Sequence, residues 1–162
     1  MKRLRRLHKK LINNGTLPYL INSLPNIQYL TGFDGSYASL LLTPGSIYFI
    51  SDARYEEYAR SMLPTNVNFV LQDNGISLTV KDILAGEKLK ELYLEEHSMV
   101  LGQYFQFKDA LKGIKLQRGG DVVNELRMVK DDAEIKLLRE AVAITDHCLT
   151  HILDMIKPGI LE

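Results

Sequence analysis

Three side chains near the end of the sequence have a spacing that metal sites on helices use. His147 and His151 are four residues apart and Asp154 follows three residues later, so a helix would present all three on one side. The residue after the first histidine is Cys148, whereas the helical metalloprotease motif has a glutamate there to activate water. A helical projection also sets the three opposite the apolar residues of the same segment. We therefore interpret them as surface residues.

The other residues that could catalyse a reaction also have simpler structural explanations. Asp34, Asp52 and Asp73 could pair as catalytic carboxylates, but each lies beside Gly, Asn, Ser or a helix start, where aspartate normally caps or turns the backbone. Cys148 is the only cysteine, and no base accompanies it to make it a nucleophile. The sequence also lacks dinucleotide-binding, P-loop and nucleophile-elbow motifs. The residues alone thus predict no catalytic constellation.

The composition is that of an ordinary globular domain. The 162 residues are 46% hydrophobic, and 20 basic residues balance 20 acidic ones, which argues against a disordered polyelectrolyte and against a nucleic-acid partner. Basic residues crowd the segment from Lys2 to Lys10, but Leu4, Leu7 and Leu11 recur there at helical spacing, so the charges predict the solvated face of an amphipathic helix. No stretch resembles a signal peptide or a membrane span, and we expect a cytoplasmic protein.

Short β-rich runs alternate with helical periodicity along most of the chain. The pattern predicts helices near 3–14, 25–30, 79–84 and 99–111, a further helix capped by Asp52 and ending near Leu63, and strands near 17–22, 37–42, 47–50, 68–71, 91–94 and 114–117. The turn Thr43-Pro44-Gly45-Ser46 predicts a hairpin. The predicted fold class is α/β, with a mixed β-sheet flanked by helices.

Gly119 and Gly120 mark a break in this pattern, and we place a domain boundary there, between residues 1–120 and residues 121–162. Beyond the break the sequence predicts a short helix and then a long one over 131–157. The long helix carries an apolar stripe that is too wide for one neighbour, which indicates the first helix of a second, larger domain. The stripe comprises Leu138, Val142, Thr145, Leu149, Ile152 and Ile156, and it is widened by Leu137, Ile144, Cys148 and Met155.

Four stretches, in this order, resemble the creatinase/prolidase family of pita-bread metallopeptidases. They are residues 23–33 (SLPNIQYLTGF), 52–55 (DARY), 124–130 (NELRMVK, followed by Glu134 and Ile135) and 156–159 (IKPG). The resemblance is strongest over 24–55 and 122–159 and weak over 64–116. Many relatives have an Asp-Ala pair before the first strand, whereas this sequence has Leu17-Pro18-Tyr19. The start of that strand is therefore less certain.

The resemblance implies an N-terminal α/β domain over 1–120, and over 121–162 an interdomain connection and the first helix of a catalytic domain. The parent would be a peptidase that cleaves peptide bonds preceding proline, as an aminopeptidase or a dipeptidase. Its two divalent metal ions, expected to be manganese, would be bound by two Asp, one His and two Glu that have no counterpart in this chain. No metal ligand or catalytic residue is carried over, and we expect the chain to be inactive by itself.

The resemblance also implies a role for this part of the parent in substrate access and in a homodimer. The residues that match the substrate entrance are Phe33, Asp34, Arg54 and Tyr55. Each also has a structural explanation, because Asp34-Gly35 is an ordinary turn sequence, Asp52 can cap a helix and Arg54 can pair with a nearby carboxylate.

Two alternatives stay open from the sequence. The parent could use the same architecture without catalysis, as a peptide- or protein-binding module. It could also be a creatinase-type amidinohydrolase, which cleaves a C–N bond of creatine.

Overall fold

The computed structural model describes residues 2–161, which form an α/β fold. The helices are α1 (Lys2–Asn14), α2 (Leu24–Thr31), α3 (Glu56–Met62), α4 (Ile76–Gly86), α5 (Leu101–Ala110), α6 (Val122–Met128) and α7 (Asp132–Met155), and a 3-10 turn, Ala53–Tyr55, precedes α3. The strands are β1 (Tyr19–Ile21), β2 (Ser39–Leu42), β3 (Ile47–Ser51), β4 (Asn68–Leu71), β5 (Glu91–Leu94) and β6 (Lys115–Arg118). The predicted fold class is confirmed.

The six strands form one mixed sheet in the order β4-β3-β2-β1-β5-β6. Only β2 runs antiparallel to its neighbours, since the pairs β3–β4, β1–β5 and β5–β6 are all parallel. The predicted hairpin joins β2 to β3, and its turn is closed by a hydrogen bond from the Thr43 N–H to the Ser46 carbonyl (2.8 Å). The carboxyl ends of five strands therefore lie at one edge of the sheet, together with the loop that leads into β2.

Helices cover both faces of the sheet. Alternate strand residues point to opposite faces, so each face has its own apolar cluster. One cluster joins the sheet to α1, α2, α3 and α6, and includes Leu4, Leu7, Leu11, Ile27, Leu30, Ala59, Val122 and Val123. The other joins the sheet to α4 and α5, and includes Val80, Leu84, Phe107 and Leu111. The burial of Leu4, Leu7 and Leu11 confirms the predicted amphipathic first helix.

Several elements begin or end at residues other than the predicted ones, each for a local reason. Strand β1 begins at Tyr19, because Pro18 has no N–H to give to a ladder. Strand β2 begins at Ser39, since the two preceding residues continue the loop. Helix α4 begins at Ile76, before the predicted start at 79, because Gly75 at a φ of 95° turns the chain into the helix.

The chain divides into two compact units, one up to Leu126 and one from Arg127 onward. The predicted division into residues 1–120 and 121–162 stays a prediction. In the second unit α7 starts with a capping box, in which Asp131 Oδ1 accepts the Glu134 N–H and Glu134 Oε2 accepts the Asp131 N–H, both at 2.9 Å. None of the described residues of α7 is buried. Within residues 2–161 the helices are too short or too polar to cross a bilayer.

Candidate functional site

Two segments at the carboxyl edge of the sheet bring the four predicted entrance residues together. Gly32, at a φ of 85°, ends α2 in a left-handed conformation and sends the chain into the loop 33–38. Strand β3 ends at Ser51, and Asp52 then caps the 3-10 turn that contains Arg54 and Tyr55. We call residues 33–36 together with 52–58 the entrance cluster.

Phe33 forms the base of the entrance cluster. Its side chain is 1% exposed, and its ring meets those of Phe49, Tyr55 and Tyr58 at centroid distances of 4.9, 5.3 and 5.6 Å. The contacts with Phe49 and Tyr55 are edge-to-face, whereas the Tyr58 ring is tilted by 33°, and such contacts favour particular ring orientations. Phe33 therefore supports the two tyrosines from beneath rather than presenting its own surface.

Tyr55 is fastened to the loop by its hydroxyl group. The Ser36 N–H donates to the Tyr55 hydroxyl oxygen (3.1 Å), and the Ser36 Oγ lies 2.8 Å from the same atom. These hydrogen bonds from Ser36 favour the phenolate and lower the pKa of Tyr55. Gly35 makes the close approach possible, since a Cβ there would lie 2.3 Å from Phe33 Cζ and 2.8 Å from Tyr55 Cε1.

Asp34 is held by the neighbouring tyrosine. Its Oδ1 accepts a hydrogen bond from the Tyr58 hydroxyl group (2.7 Å). This hydrogen bond raises the pKa of Tyr58. Asp34 and Tyr58 are both exposed, so the pair is open to solvent. Tyr55 and Tyr58 thus lie side by side with opposite pKa shifts, one accepting hydrogen bonds and the other donating one.

Arg54 and Asp52 form a two-pronged ion pair beside these tyrosines. Arg54 Nε and Nη2 lie 3.1 and 2.7 Å from Asp52 Oδ1 and Oδ2, and the Arg54 N–H also donates to Oδ1 (3.0 Å). The guanidinium lowers the pKa of the Asp52 carboxyl group. The Arg54 side chain remains 67% exposed, and its Cζ is 5.4 Å from the Tyr55 ring centroid. Arg54 is therefore both paired with a carboxylate and open to solvent.

The cluster adjoins an open cleft of about 700 Å³ at the same edge of the sheet. Ser36 and Tyr37 form one wall, the start of α4 forms another, and α5 contributes Gln103, Gln106 and Asp109. Most polar groups of the lining are uncharged amides and hydroxyls. The loop that carries Asp34 therefore lies between the rings of Tyr55 and Tyr58 and this cleft, whose lining can form hydrogen bonds.

The entrance cluster presents groups that can donate and accept hydrogen bonds and form ion pairs. It offers phenol hydroxyls, several carboxylates and one guanidinium. Among residues 2–161, no three His, Cys, Asp or Glu side chains are grouped to hold a metal ion. His147, His151 and Asp154 are exposed on α7, but so are the apolar residues of that helix, so exposure does not distinguish its two sides.

Two residues of this region were missed by the sequence analysis. Tyr58 follows Tyr55 by three residues, a spacing that puts side chains on one side of a helical turn and could have indicated the pair. The other is Glu95, which is 2% exposed at the end of β5 and accepts hydrogen bonds from Asn26 Nδ2, from the Ser23 N–H (3.1 Å) and from Ser98 Oγ (2.8 Å). Glu95 thereby holds the start of α2 in place. No local sequence pattern predicts that Glu95 has this role.

The same carboxylate affects a neighbouring strand. Burial, and then the charge of Glu95, raise the pKa of Tyr19 far above its ordinary value. The Tyr19 hydroxyl donates to the Gly120 carbonyl at 3.2 Å, so it is held as a neutral phenol. Tyr19 therefore ties the start of β1 to the segment that follows β6.

Comparison with known proteins gives the chain a family. Residues 3–129 match the family model described as the Creatinase/Prolidase N-terminal domain. The chain belongs to the creatinase/prolidase family. The resemblance seen in the four sequence stretches is thereby confirmed, and the entrance cluster lies in the N-terminal domain of this family.

Three relatives illustrate the similarity. The chain is 34% identical over 164 residues to the uncharacterized peptidase YqhT of Bacillus subtilis (strain 168), covering 100% of this chain and 45% of the relative. The solved structure of an Xaa-Pro dipeptidase from Bacillus anthracis superposes with a TM-score of 0.87 at 27% identity, over 99% of this chain and 44% of that one. The N-terminal domain of cytoplasmic peptidase PepQ from Mycobacterium tuberculosis H37Rv has the same fold, with a TM-score of 0.68 at 24% identity over 77% of this chain and 98% of that one.

These relatives are of two lengths. The chain spans less than half of YqhT and of the Bacillus anthracis dipeptidase, but nearly all of the separately solved N-terminal domain is covered by it.

Proposed function

We propose that this chain is the N-terminal, substrate-access and dimerisation part of a longer metal-dependent peptidase that cleaves Xaa-Pro peptide bonds, and that it is inactive by itself. The observation that carries the proposal is the match of residues 3–129 to the family's N-terminal domain, in a chain that spans 45% of YqhT. The names of YqhT and of the Bacillus anthracis enzyme point to peptidase chemistry for the longer protein.

The second unit supports the same proposal. Leu138, Val142, Leu149 and Ile152 of α7 are all at least half exposed, although the helix places them on one stripe. An apolar stripe of this width is normally covered. In the proposed protein the remainder of the catalytic domain covers it.

The proposed cofactors are two divalent metal ions, with manganese as the expected metal, and they belong to the catalytic domain. The described residues 2–161 do not fit such a centre, because they contain no group of three or more suitable side chains. We therefore assign no metal ligand and no catalytic step to this chain.

The proposed role of the entrance cluster follows from the chemistry of proline peptides. An Xaa-Pro bond has no N–H at the proline nitrogen, so recognition depends on carbonyl acceptors, on terminal charges and on shape. Arg54 is exposed and has five N–H donors, and Asp52 accepts one hydrogen bond from Nε and one from Nη2. We assign Arg54, Asp34 and Tyr55 to contacts with the peptide at the entrance, with Phe33 as their support.

The proposed partners are a proline-containing peptide and a second copy of the protein, without nucleic acid and without a membrane. A cytoplasmic location is part of the proposal. It is supported by the description of the PepQ relative as cytoplasmic.

The decisive experiment compares this chain with the longer protein from the same reading frame. Both are assayed with Xaa-Pro dipeptides, with longer peptides that have proline second, and with creatine, in the presence of Mn²⁺. We expect hydrolysis of proline peptides by the longer protein only. Hydrolysis by the 162-residue chain, free of contaminating peptidases, would contradict the proposal. Cleavage of creatine, or no activity despite peptide binding, would establish one of the alternatives instead.

The entrance role has its own test, with a matched control on the same domain. Arg118 makes a similar two-pronged pair with Glu96 (2.7 and 2.9 Å) outside the entrance cluster. In the longer protein, Arg54→Ala should raise KM for proline peptides about tenfold, the loss of one charge-assisted contact, with little change in kcat. Arg118→Ala should change neither constant. If the two substitutions had equal effects on KM, the proposed role of Arg54 at the entrance would be wrong.

A further inference from the structure

The outer face of α1 carries four basic side chains in one patch. With 3.6 residues per turn, they fall within about 100° of the helix circumference and extend over about 10 Å along it. They lie opposite the buried Leu4, Leu7 and Leu11, and all four are exposed. We call this patch the basic stripe, and it consists of Lys2, Arg5, Arg6 and Lys9.

The basic stripe opposes the electrostatics of its own helix. Each of its members lies three or four residues from two others, a spacing at which like charges repel each other and destabilise a helix. The first turn of α1 contains no acidic residue, so the positive end of the helix dipole faces positive side chains. The basic stripe therefore destabilises α1 more than a mixed set of surface charges would.

Two other helices with exposed charges follow the opposite pattern. Helix α3 has Glu56 and Glu57 in its first turn, and Glu56 Oε1 lies 3.0 Å from Arg60 Nε. Helix α7 also has acidic residues in its first turn, and its Lys136 Nζ lies 3.9 Å from Glu140 Oε1. Of these three helices, only α1 concentrates a single sign of charge on its outer face.

The fold compensates the basic residues at the border of the stripe, but not the stripe itself. Lys10 Nζ lies 2.8 Å from Glu125 Oε2, and Arg3 Cζ lies 4.3 Å from the centroid of the Tyr29 ring. Within the described residues 2–161, the four side chains of the basic stripe have no ion pair and no hydrogen bond. A patch of one charge on a fixed helix attracts groups of the opposite charge. The basic stripe is therefore a surface for an anionic partner.

The rest of the chain limits how large that anionic partner can be. Helix α1 holds six of the 20 basic residues and none of the 20 acidic ones, so the remainder of the chain has a net negative charge. A nucleic acid or an anionic bilayer presents negative charge well beyond the stripe and would also repel this remainder. A partner with a short run of carboxylates has its charge where the stripe is, and meets less of this repulsion.

An apolar side chain borders the basic stripe. Ile12 is 51% exposed and follows Arg5 by seven residues and Lys9 by three, which sets it on the same side of the helix. Arginine is one of the residues that are enriched at protein interfaces, where it surrounds or accompanies apolar contacts. The combination favours a protein partner over a phosphate backbone.

We propose that the basic stripe and Ile12 bind an acidic segment of a partner protein, in which glutamates or aspartates accompany an aliphatic side chain. The carboxylates accept charge-assisted hydrogen bonds from Arg5 and Arg6, whose guanidinium groups can each donate two to one carboxylate. The aliphatic side chain packs on Ile12. This inference goes beyond the proposed peptidase function and does not depend on it, because the tests below measure binding and not hydrolysis.

The first test titrates the full 162-residue chain into a labelled peptide and follows fluorescence anisotropy. The peptide has glutamate at three of every four positions and leucine at the fourth, and the control peptide has glutamine in place of glutamate. We expect binding of the acidic peptide only, and we expect it to weaken as the NaCl concentration rises, because the stripe is exposed to screening ions. Absence of binding, or equal binding of the two peptides, would overturn the inference.

The second test compares the same substitution inside and outside the basic stripe. Lys9→Glu should raise the dissociation constant of the acidic peptide about tenfold, the loss of one charge-assisted contact. It should also raise the Tm of the chain, because it removes the repulsion of Lys9 by Arg5 and Arg6. Lys81→Glu is the control, since Lys81 is an exposed lysine of α4 whose neighbours three and four residues away are uncharged. These neighbours are Ser77, Leu78, Leu84 and Ala85.

We expect Lys81→Glu to leave both the dissociation constant and the Tm nearly unchanged. An equal rise of the dissociation constant in the two variants would show that overall charge controls binding, and the inference would be wrong. A lower Tm for Lys9→Glu would show that the fold itself needs this charge, and would contradict the inference as well.

The third test separates the acidic segment from other sources of negative charge. The chain is titrated with double-stranded DNA and with vesicles of phosphatidylcholine and phosphatidylserine. Tighter binding of either than of the acidic peptide would assign the stripe to that class and overturn the proposal. The peptide titration is then repeated with the longer protein, where we expect the same affinity. Loss of binding there would mean that the rest of that protein covers the stripe, which would also overturn the proposal.

Discussion

Phe49 in β3 is 0% exposed between the sheet and its helices, whereas Leu149 in α7 is 55% exposed, although both belong to well-formed elements with an apolar face. In the first unit, helices and strands cover each other's apolar faces. In the second unit α7 has a complete capping box and a regular apolar stripe, but none of its described residues is buried. The difference teaches that local sequence can specify a helix. The free energy gained by burying its apolar face depends on a partner that covers that face.

The largest expected effect comes from matched apolar truncations in the two units. Phe49 contacts the rings of Phe33 and Phe69 at centroid distances of 4.9 and 6.2 Å, so Phe49→Ala should lower the free energy of unfolding by about 3–5 kcal/mol. Leu149→Ala should change the free energy of unfolding by less than about 0.5 kcal/mol. The Leu149 side chain is already 55% exposed, so its truncation removes little buried apolar surface. Urea unfolding followed by circular dichroism measures both. A comparable loss in Leu149→Ala would mean that α7 is already covered.

The next largest effect contrasts two carboxylates. Glu95 is buried and accepts three hydrogen bonds, so Glu95→Ala removes all three and should cost roughly 3 kcal/mol. Glu140 lies on the exposed surface of α7, with Oε1 at 3.9 Å from Lys136 Nζ, and Glu140→Ala should cost less than about 0.5 kcal/mol. The same urea titrations would contradict the comparison if the two losses were equal.

A smaller effect sharpens the comparison within the first unit. Gly35→Ala inserts a methyl group 2.3 Å from Phe33 Cζ, so the rings must shift, and we expect a loss of about 2 kcal/mol. Gly45→Ala is the control, since a Cβ at that hairpin position meets nothing within 4 Å. Thermal unfolding of both variants measures the difference. An unchanged Tm for Gly35→Ala would show that the entrance cluster is loosely packed.

The smallest effect concerns the start of α7. Asp131 accepts the Glu134 N–H in the capping box, and Asp131→Ala should destabilise the helix locally by about 1 kcal/mol. Faster amide hydrogen exchange in the first turn of α7 would report this loss, while exchange in β3 stays unchanged. If exchange in β3 also accelerates, the two units unfold together and the contrast between them fails.

Much of the fold could be predicted from local patterns in the sequence. The spacing of Leu4, Leu7 and Leu11 determined the buried side of α1, and the turn Thr43–Ser46 determined the β2–β3 hairpin. Asp52 was predicted as a cap and caps the 3-10 turn before α3. These features depend on residues close together in the chain, where backbone preferences and helical or strand periodicity act directly. Four ordered stretches also determined the family.

Only the tertiary structure decided which distant residues meet. The pairing of β1 with β5 brings Glu95 to Ser23 and Asn26, and the ends of α2 and β3 bring Asp34 to Tyr58 and Ser36 to Tyr55. No local spacing encodes such contacts, because they depend on strand order across the whole sheet. Local physics in the sequence therefore determined the elements and their apolar faces. The entrance cluster and the buried Glu95 arise from how those elements pack.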